Sequence, residues 1–127
     1  MLKETIISIV IVVTIFALDY TTQSYTAKSI DTLKEKISKL ELDIENNRTE
    51  EIKENIENIN NTWKNSEEKL AYFLEHDELE KINSELKELT SYIKTDEKHL
   101  AISKTEKAKF ILEHIKDKNS FKLENIF

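Results

Sequence analysis

The chain contains no glycine, no proline and no cysteine. The first absence removes the residue that takes positive φ most cheaply, the second removes the usual kink and turn former, and the third removes every disulfide. Together they exclude a β-rich or disulfide-stapled secreted fold and leave helices joined by short polar turns. Arginine occurs once, at Arg48, against eighteen lysines. Recognition of phosphate or base edges by guanidinium groups therefore has almost nothing to work with. The net charge of -6 excludes nucleic acid as a partner on separate grounds, because a nucleic-acid-binding domain shows a basic footprint. The lysine excess, with many Ile and Asn, reads as the codon bias of an AT-rich genome. No Gly-rich phosphate loop, HExxH motif, Cys–His pair or Ser-His-Asp pattern is present, so no catalytic residue and no cofactor is predicted.

Nearly all the concentrated apolarity lies in one run, Thr5 to Leu18 (TIISIVIVVTIFAL), in a chain that is 35% charged. A membrane-spanning helix needs about 20 mostly apolar residues, a length reached if Met1 to Glu4 and Asp19 to Tyr20 sit at the interfaces. A cleaved signal peptide has a shorter apolar core and a small-x-small cleavage site; the windows at Thr22-Gln23-Ser24 and Tyr25-Thr26-Ala27 match that site poorly. The expectation is an uncleaved signal anchor over residues 1–20 and an extracytoplasmic domain over residues 21–127, with a cleaved signal and a buried soluble helix as the alternatives. Lys3 and the α-amino group favour a cytoplasmic N-terminus, against which Glu4 weighs a little, and Tyr20 and Tyr25 suit the outer interface.

About a hundred residues remain, enough for one small helical domain. Ile30, Leu33, Ile37, Leu40 and Ile44 recur at alternating spacings of three and four, which is one face of a helix that stops at Asn46-Asn47. A second stripe is Ile52, Ile56, Ile59, Trp63, Leu70 and Phe73, with Ser66 in one core slot and Thr49 as the cap. Asp77 with Glu80 resembles a capping box before a third stripe of Leu79, Ile82, Leu86, Leu89 and Ile93. Thr95 or Asp96 is the expected cap of a fourth helix carrying Leu100, Ala101, Ala108, Ile111, Leu112 and Ile115. Turns of two to four residues make the helices antiparallel neighbours, so the predicted fold is all-α: an N-terminal transmembrane helix followed by an up-and-down bundle of about four helices, with a two-helix coiled coil as the alternative. Nothing breaks the helix between the apolar run and Ile30, which predicts one continuous rod.

That topology brings His76, Asp77 and His114 to the end nearest the membrane and leaves His99 about 25 Å away, so a three-histidine metal site is excluded. His76 and His114 could meet, with Asp77, Glu80 or Glu113 as oxygen ligands, but the spacing is no metal motif and no metal is expected. The plainer reading is that His76 ends a helix, His114 is partly exposed, the Glu–Lys pairs are solvated helix faces, and Trp63 is core. Asn47-Arg48-Thr49 and Asn60-Asn61-Thr62 match the glycosylation sequon by coincidence in an Asn-rich chain. Residues 19–95 hold 18 acidic and 11 basic side chains and residues 96–127 hold 6 and 7, so the last helix is basic beside acidic companions, as internal pairing would require. Phe121, Leu123, Ile126 and Phe127 are apolar beyond the last clear stripe and are expected to cover the base of the bundle or to dock on lipid or a partner.

The order of an N-terminal apolar segment, Trp63, HDELEKI at His76 to Ile82, FILEHI at Phe110 to Ile115 and a closing LENIF resembles an uncharacterised family, a domain of unknown function, of small membrane-anchored proteins from clostridia and related spore-forming Firmicutes. The resemblance covers the whole chain, implies location and helical fold, and supplies no activity; Trp63, His76 and Glu78 match its pattern without a role. It further implies a membrane partner, since such proteins neighbour genes for YetF-like membrane proteins. The functional expectation is a non-enzymatic accessory or scaffold protein that binds lipid through the N-terminal helix and a membrane protein, or a second copy, through its bundle. The alternative is an extracytoplasmic sensor that binds a small ligand or ion and signals through a partner.

Overall fold

The computed structural model describes the backbone of residues 1–126 and the side chains of residues 1–120. Four helices follow one another: α1 (Leu2–Glu45), α2 (Thr49–Leu70), α3 (His76–Lys94) and α4 (Lys98–Ile126). No strand occurs among the described residues. α1 runs 44 residues without interruption, about 66 Å, so the apolar run and the first bundle helix are one rod. Residues 1–18 are all exposed, and the first buried side chain is Thr26.

The core is the set of stripes turned inward. All five of Ile30, Leu33, Ile37, Leu40 and Ile44 are buried, as are Ile56, Ile59, Trp63, Leu70, Leu79, Ile82, Leu86, Leu89, Ala101, Ala108, Leu112 and Ile115. Each large aliphatic side chain so removed from water contributes about 1.5–3 kcal/mol. Ile52, Ile93 and Ile111 pack against this core from its rim, while Leu100 is exposed. A slot in α4 that the apolar pattern passes over is filled by Thr105, fully buried, whose hydroxyl donates to the Ile102 carbonyl and lies 2.8 Å from Glu41 Oε2. The helices are antiparallel; α1 packs along α2 and α4, and α4 along α3, while α2 and α3 stand further apart. Alanines at 101 and 108 permit the close approach of α4.

The turns at the far end show how a glycine-free chain stops a helix. Asn47 and Asp96 have φ of 54° and 57°, the left-handed region that Asn and Asp tolerate better than other residues with a Cβ. Each is the first residue past a helix cap and completes a Schellman motif: the Asn47 amide donates to Ile44 O and that of Arg48 to Asp43 O, and the Asp96 amide donates to Ile93 O and that of Glu97 to Tyr92 O. These motifs consume the turn, so α2 starts at Thr49 with Arg48 as its N-cap, and Thr49 makes no capping bond. Thr95 likewise caps the C-terminus of α3 and, with Asp96, is spent in the turn before α4 starts at Lys98. A capping box does open α3, two residues earlier than expected: extended Glu75 and Glu78 form it, with the Glu75 amide 3.2 Å from Glu78 Oε2.

The turn between α2 and α3 is five residues, 71–75, and corrects the second stripe. α2 ends at Leu70, the chain changes direction, and Leu74 takes the core position while Phe73 stays 42% exposed. α4 continues in helical conformation past Ile115 to Ile126. The expected roles of Phe121, Leu123, Ile126 and Phe127 fall outside the described residues.

Candidate membrane-proximal interface

Side-chain chemistry is distributed unequally along the bundle. Ion pairs concentrate on α4, whose lysines reach acidic groups of both neighbours. Lys116 meets Asp31 at 2.9 Å and Lys109 meets Glu41 at 2.9 Å on α1; Lys104 meets Glu85 at 3.2 Å and Glu88 at 2.7 Å on α3. Lys107 also meets Glu85, Lys118 meets Glu75 and Glu78, and Glu113 pairs with Lys34. Hydrogen bonds from Lys104 and Lys34 hold the Glu88 and Glu113 carboxyls below the usual carboxylate range, and bonds to Glu88, Asp31 and Glu78 raise the ammonium groups of Lys104, Lys116 and Lys118. The charge asymmetry seen in the sequence is thus a pair of seams that fasten α4 to α1 and α3.

The α2–α3 side uses side-chain hydrogen bonds from neutral donors instead. Trp63 is buried, as its place in the stripe predicts, and its indole N–H donates to Asn83 Oδ1 at 2.5 Å. Asn83 Nδ2 in turn donates to Glu67 at 2.7 Å, and Asn60 donates to Thr90 at 3.0 Å. Arg48, the single arginine, is engaged by buried Asp43, which also accepts from Asn55.

The three histidines have different surroundings. His76 is largely exposed and 3.7 Å from Glu80 one turn along its own helix. His114 lines a cleft between α3 and α4 with Asp77, Glu78 and Lys118, while its neighbour Glu113 turns to α1. His99, fifteen residues before His114 on α4, lies about 22 Å away. Among the described residues no group of three or more His, Asp or Glu could hold a metal ion. Glu78 has a structural occupation, bridging the capping box and Lys118.

What remains is the end of the bundle that adjoins the unburied part of α1. Here Tyr25 of α1 meets Phe73 of the α2–α3 turn edge-on at 6.3 Å, Phe73 adjoins Tyr72 at 6.5 Å, and the Lys69 ammonium lies 5.8 Å from the Tyr25 ring centre. Tyr72 is 85% exposed, and Tyr20, also exposed, lies five residues before Tyr25, about 7.5 Å along α1. Beneath them the apolar stretch of α1 has a mean hydropathy of 2.0 over its most apolar window, no part of which is buried, and is long and apolar enough to cross a membrane. Helical spacing assigns Phe73 to the core and gives Tyr72 no role; the available signal is the aromatic pair Tyr72-Phe73 beside a helix end. Alongside, the Gln23 amide donates to the Asn119 carbonyl at 3.0 Å, tying α4 to α1 just above that stretch.

The family described as Domain of unknown function (DUF4363) matches residues 20–126, which is the bundle and leaves out the whole apolar run Thr5 to Leu18. No curated protein and no solved structure matches the chain.

Proposed function

We propose that this chain, which belongs to the DUF4363 family, is a non-enzymatic accessory or scaffold protein, held in a membrane by α1 and binding a membrane protein through its bundle. The observation that carries the reading is the continuity of α1. A stretch of exposed apolar residues too large to leave in water passes, without a break, into the stripe at the centre of the core. A bundle built on its own anchor is fixed close to the bilayer and oriented on it, which is what a subunit serving a membrane complex requires. The arrangement is single-pass with the anchor retained; Lys3 favours a cytoplasmic flank before the apolar run, and the bundle is extracytoplasmic. Membership among the small anchored proteins of clostridia and related Firmicutes belongs to the same proposal.

A sensor reading has one observation in its favour. A cavity of about 120 Å³ opens between the two far turns, bordered by Asn47, Asp96 and Lys98, on the same rod that enters the membrane. Ligand-dependent protection of that end against hydrogen exchange would move the weight to it.

The test is purification of a C-terminally tagged copy from native membranes in mild detergent, followed by mass spectrometry of its own N-terminus and of whatever accompanies it. A retained apolar segment with a stoichiometric membrane protein is the expected result. A processed N-terminus near Tyr25 with no companion would overturn the reading.

A further inference from the structure

The three turns of the bundle differ in a way the fold alone does not require. At the far end the turns are Asn46-Asn47-Arg48 and Thr95-Asp96-Glu97, polar as water demands. At the near end the turn is Ala71-Tyr72-Phe73-Leu74-Glu75. One apolar residue of it, Leu74, enters the core; Tyr72 and Phe73 are left 85% and 42% exposed. A turn needs neither aromatic ring for its geometry, so their place at one end only calls for a medium present at that end only.

We propose that this turn is a foot that rests in the headgroup layer of a phospholipid bilayer, with Tyr72 and Phe73 as its contacts. The proposal rests on the reading of α1 as a membrane-spanning helix and adds a second, separate point of contact. Its depth follows from α1. An anchor over residues 1–20 ends at Tyr20, and Tyr25 stands about 7.5 Å beyond it along α1. The headgroup layer is roughly 5–7 Å thick on each side. Phe73 touches Tyr25, so the turn lies at the outer edge of the headgroup layer, short of the hydrocarbon. Tyr rings settle at that depth because they have an apolar body and a polar tip. Lys69, beside Tyr25, supplies an ammonium at the same level for a phosphate. Tyr20, exposed five residues lower on α1, adds an interfacial ring at the top of the anchor. A protein partner would explain exposed rings equally well in isolation, but it would not explain why they stand at the end of the bundle from which the apolar stretch emerges. With the anchor and the foot on two sides of its base, the bundle cannot swing freely about α1.

Because the chain has no cysteine, single cysteines can be placed without background. The full-length protein is labelled with a small environment-sensitive fluorophore at Ala71→Cys beside the foot, at Glu50→Cys at the far end or at Val10→Cys within the apolar stretch, and reconstituted alone into phosphatidylcholine–phosphatidylglycerol vesicles. Quenching by headgroup-nitroxide lipid, by acyl-chain-nitroxide lipid and by aqueous iodide is then compared. The expected result is headgroup-nitroxide quenching several-fold stronger at position 71 than at position 50, iodide quenching correspondingly weaker, and acyl-chain quenching dominant at position 10. In the Y72S/F73S background, with helicity unchanged by circular dichroism, the label at 71 should become as accessible to iodide as the one at 50. If position 71 behaves like position 50 while position 10 is quenched from the acyl chains, the foot is wrong and the turn faces water or a protein partner absent from the vesicles. If the serine variant keeps its lipid quenching, the aromatic rings are not the contact and the proposal is overturned. If position 10 itself is reached by iodide and not by lipid, the spanning reading of α1 fails, and the foot falls with it.

Discussion

Arg48 Nη1 lies 3.2 Å from Oδ1 of Asp43, a carboxylate with only 2% of its side chain exposed, and the Arg48 amide donates to the Asp43 carbonyl across the same turn. The one arginine of the chain is therefore spent on closing the α1–α2 hairpin. Replacing it by alanine leaves Asp43 with Asn55 as its remaining side-chain partner. The Arg48→Ala variant should lose about 1–3 kcal/mol, measured by urea unfolding, because a buried charged acceptor loses a bond it cannot replace from water.

The Trp63–Asn83 bond predicts a coupled effect. Asn83→Ala strands the indole N–H and removes the donor to Glu67, at about 1–2 kcal/mol. In a Trp63→Phe background the same change should cost distinctly less, since the group it strands is gone. Emission from Trp63, the only tryptophan, should shift to the red in Asn83→Ala if the α2–α3 seam admits water.

Leu74 and Phe73 exchange the roles that periodicity assigns them. Leu74→Ala should destabilise by about 2–4 kcal/mol through the cavity it leaves. Phe73→Ala in detergent should cost about 1 kcal/mol, the edge contact with Tyr25. The reverse order in thermal melts would return Phe73 to the core.

The seams of α4 set the pH range. Glu88 and Glu113 are held below the ordinary carboxylate range by Lys104 and Lys34, so they contribute stability above the unfolded carboxylate range, and it is lost as pH falls through their lowered folded values. Lys104, Lys116 and Lys118 are raised by Glu88, Asp31 and Glu78; their contribution is full below the unfolded lysine range and is lost as pH rises through the raised folded values. The melting temperature followed by circular dichroism should be flat from about pH 6 to about pH 9, and should fall below about pH 4 and above about pH 10. Lys104→Met should weaken both edges of that plateau.

Reading the stripes worked best in α1, where all five assigned residues are buried, because spacings of three and four on a long helix leave one consistent face. It worked least well where a helix ends. Thr49, Thr95 and Asp96 were plausible caps by residue type, yet the Schellman motifs had already taken the backbone groups of those turns. Thr105 was invisible because its burial depends on Glu41 and the Ile102 carbonyl meeting its hydroxyl. The aromatic foot was hidden for a related reason: nothing local distinguishes Phe73 from Leu74 until the chain turns after Leu70.

By itself, the sequence determined what depends on local order. Helices follow from the absence of breakers and the three-four spacing, the unbroken rod from apolar and amphipathic segments with nothing between them, and the pairing of a basic last helix with acidic neighbours from the charge count. Tertiary structure decided what depends on direction: which lysine meets which carboxylate, that His114 lines a cleft between α3 and α4, and that Phe73 stands against Tyr25 at the base of the bundle. A pattern specifies which face of a helix is buried, but where a turn sends its next side chain is fixed only when the neighbouring helices have taken the space around it.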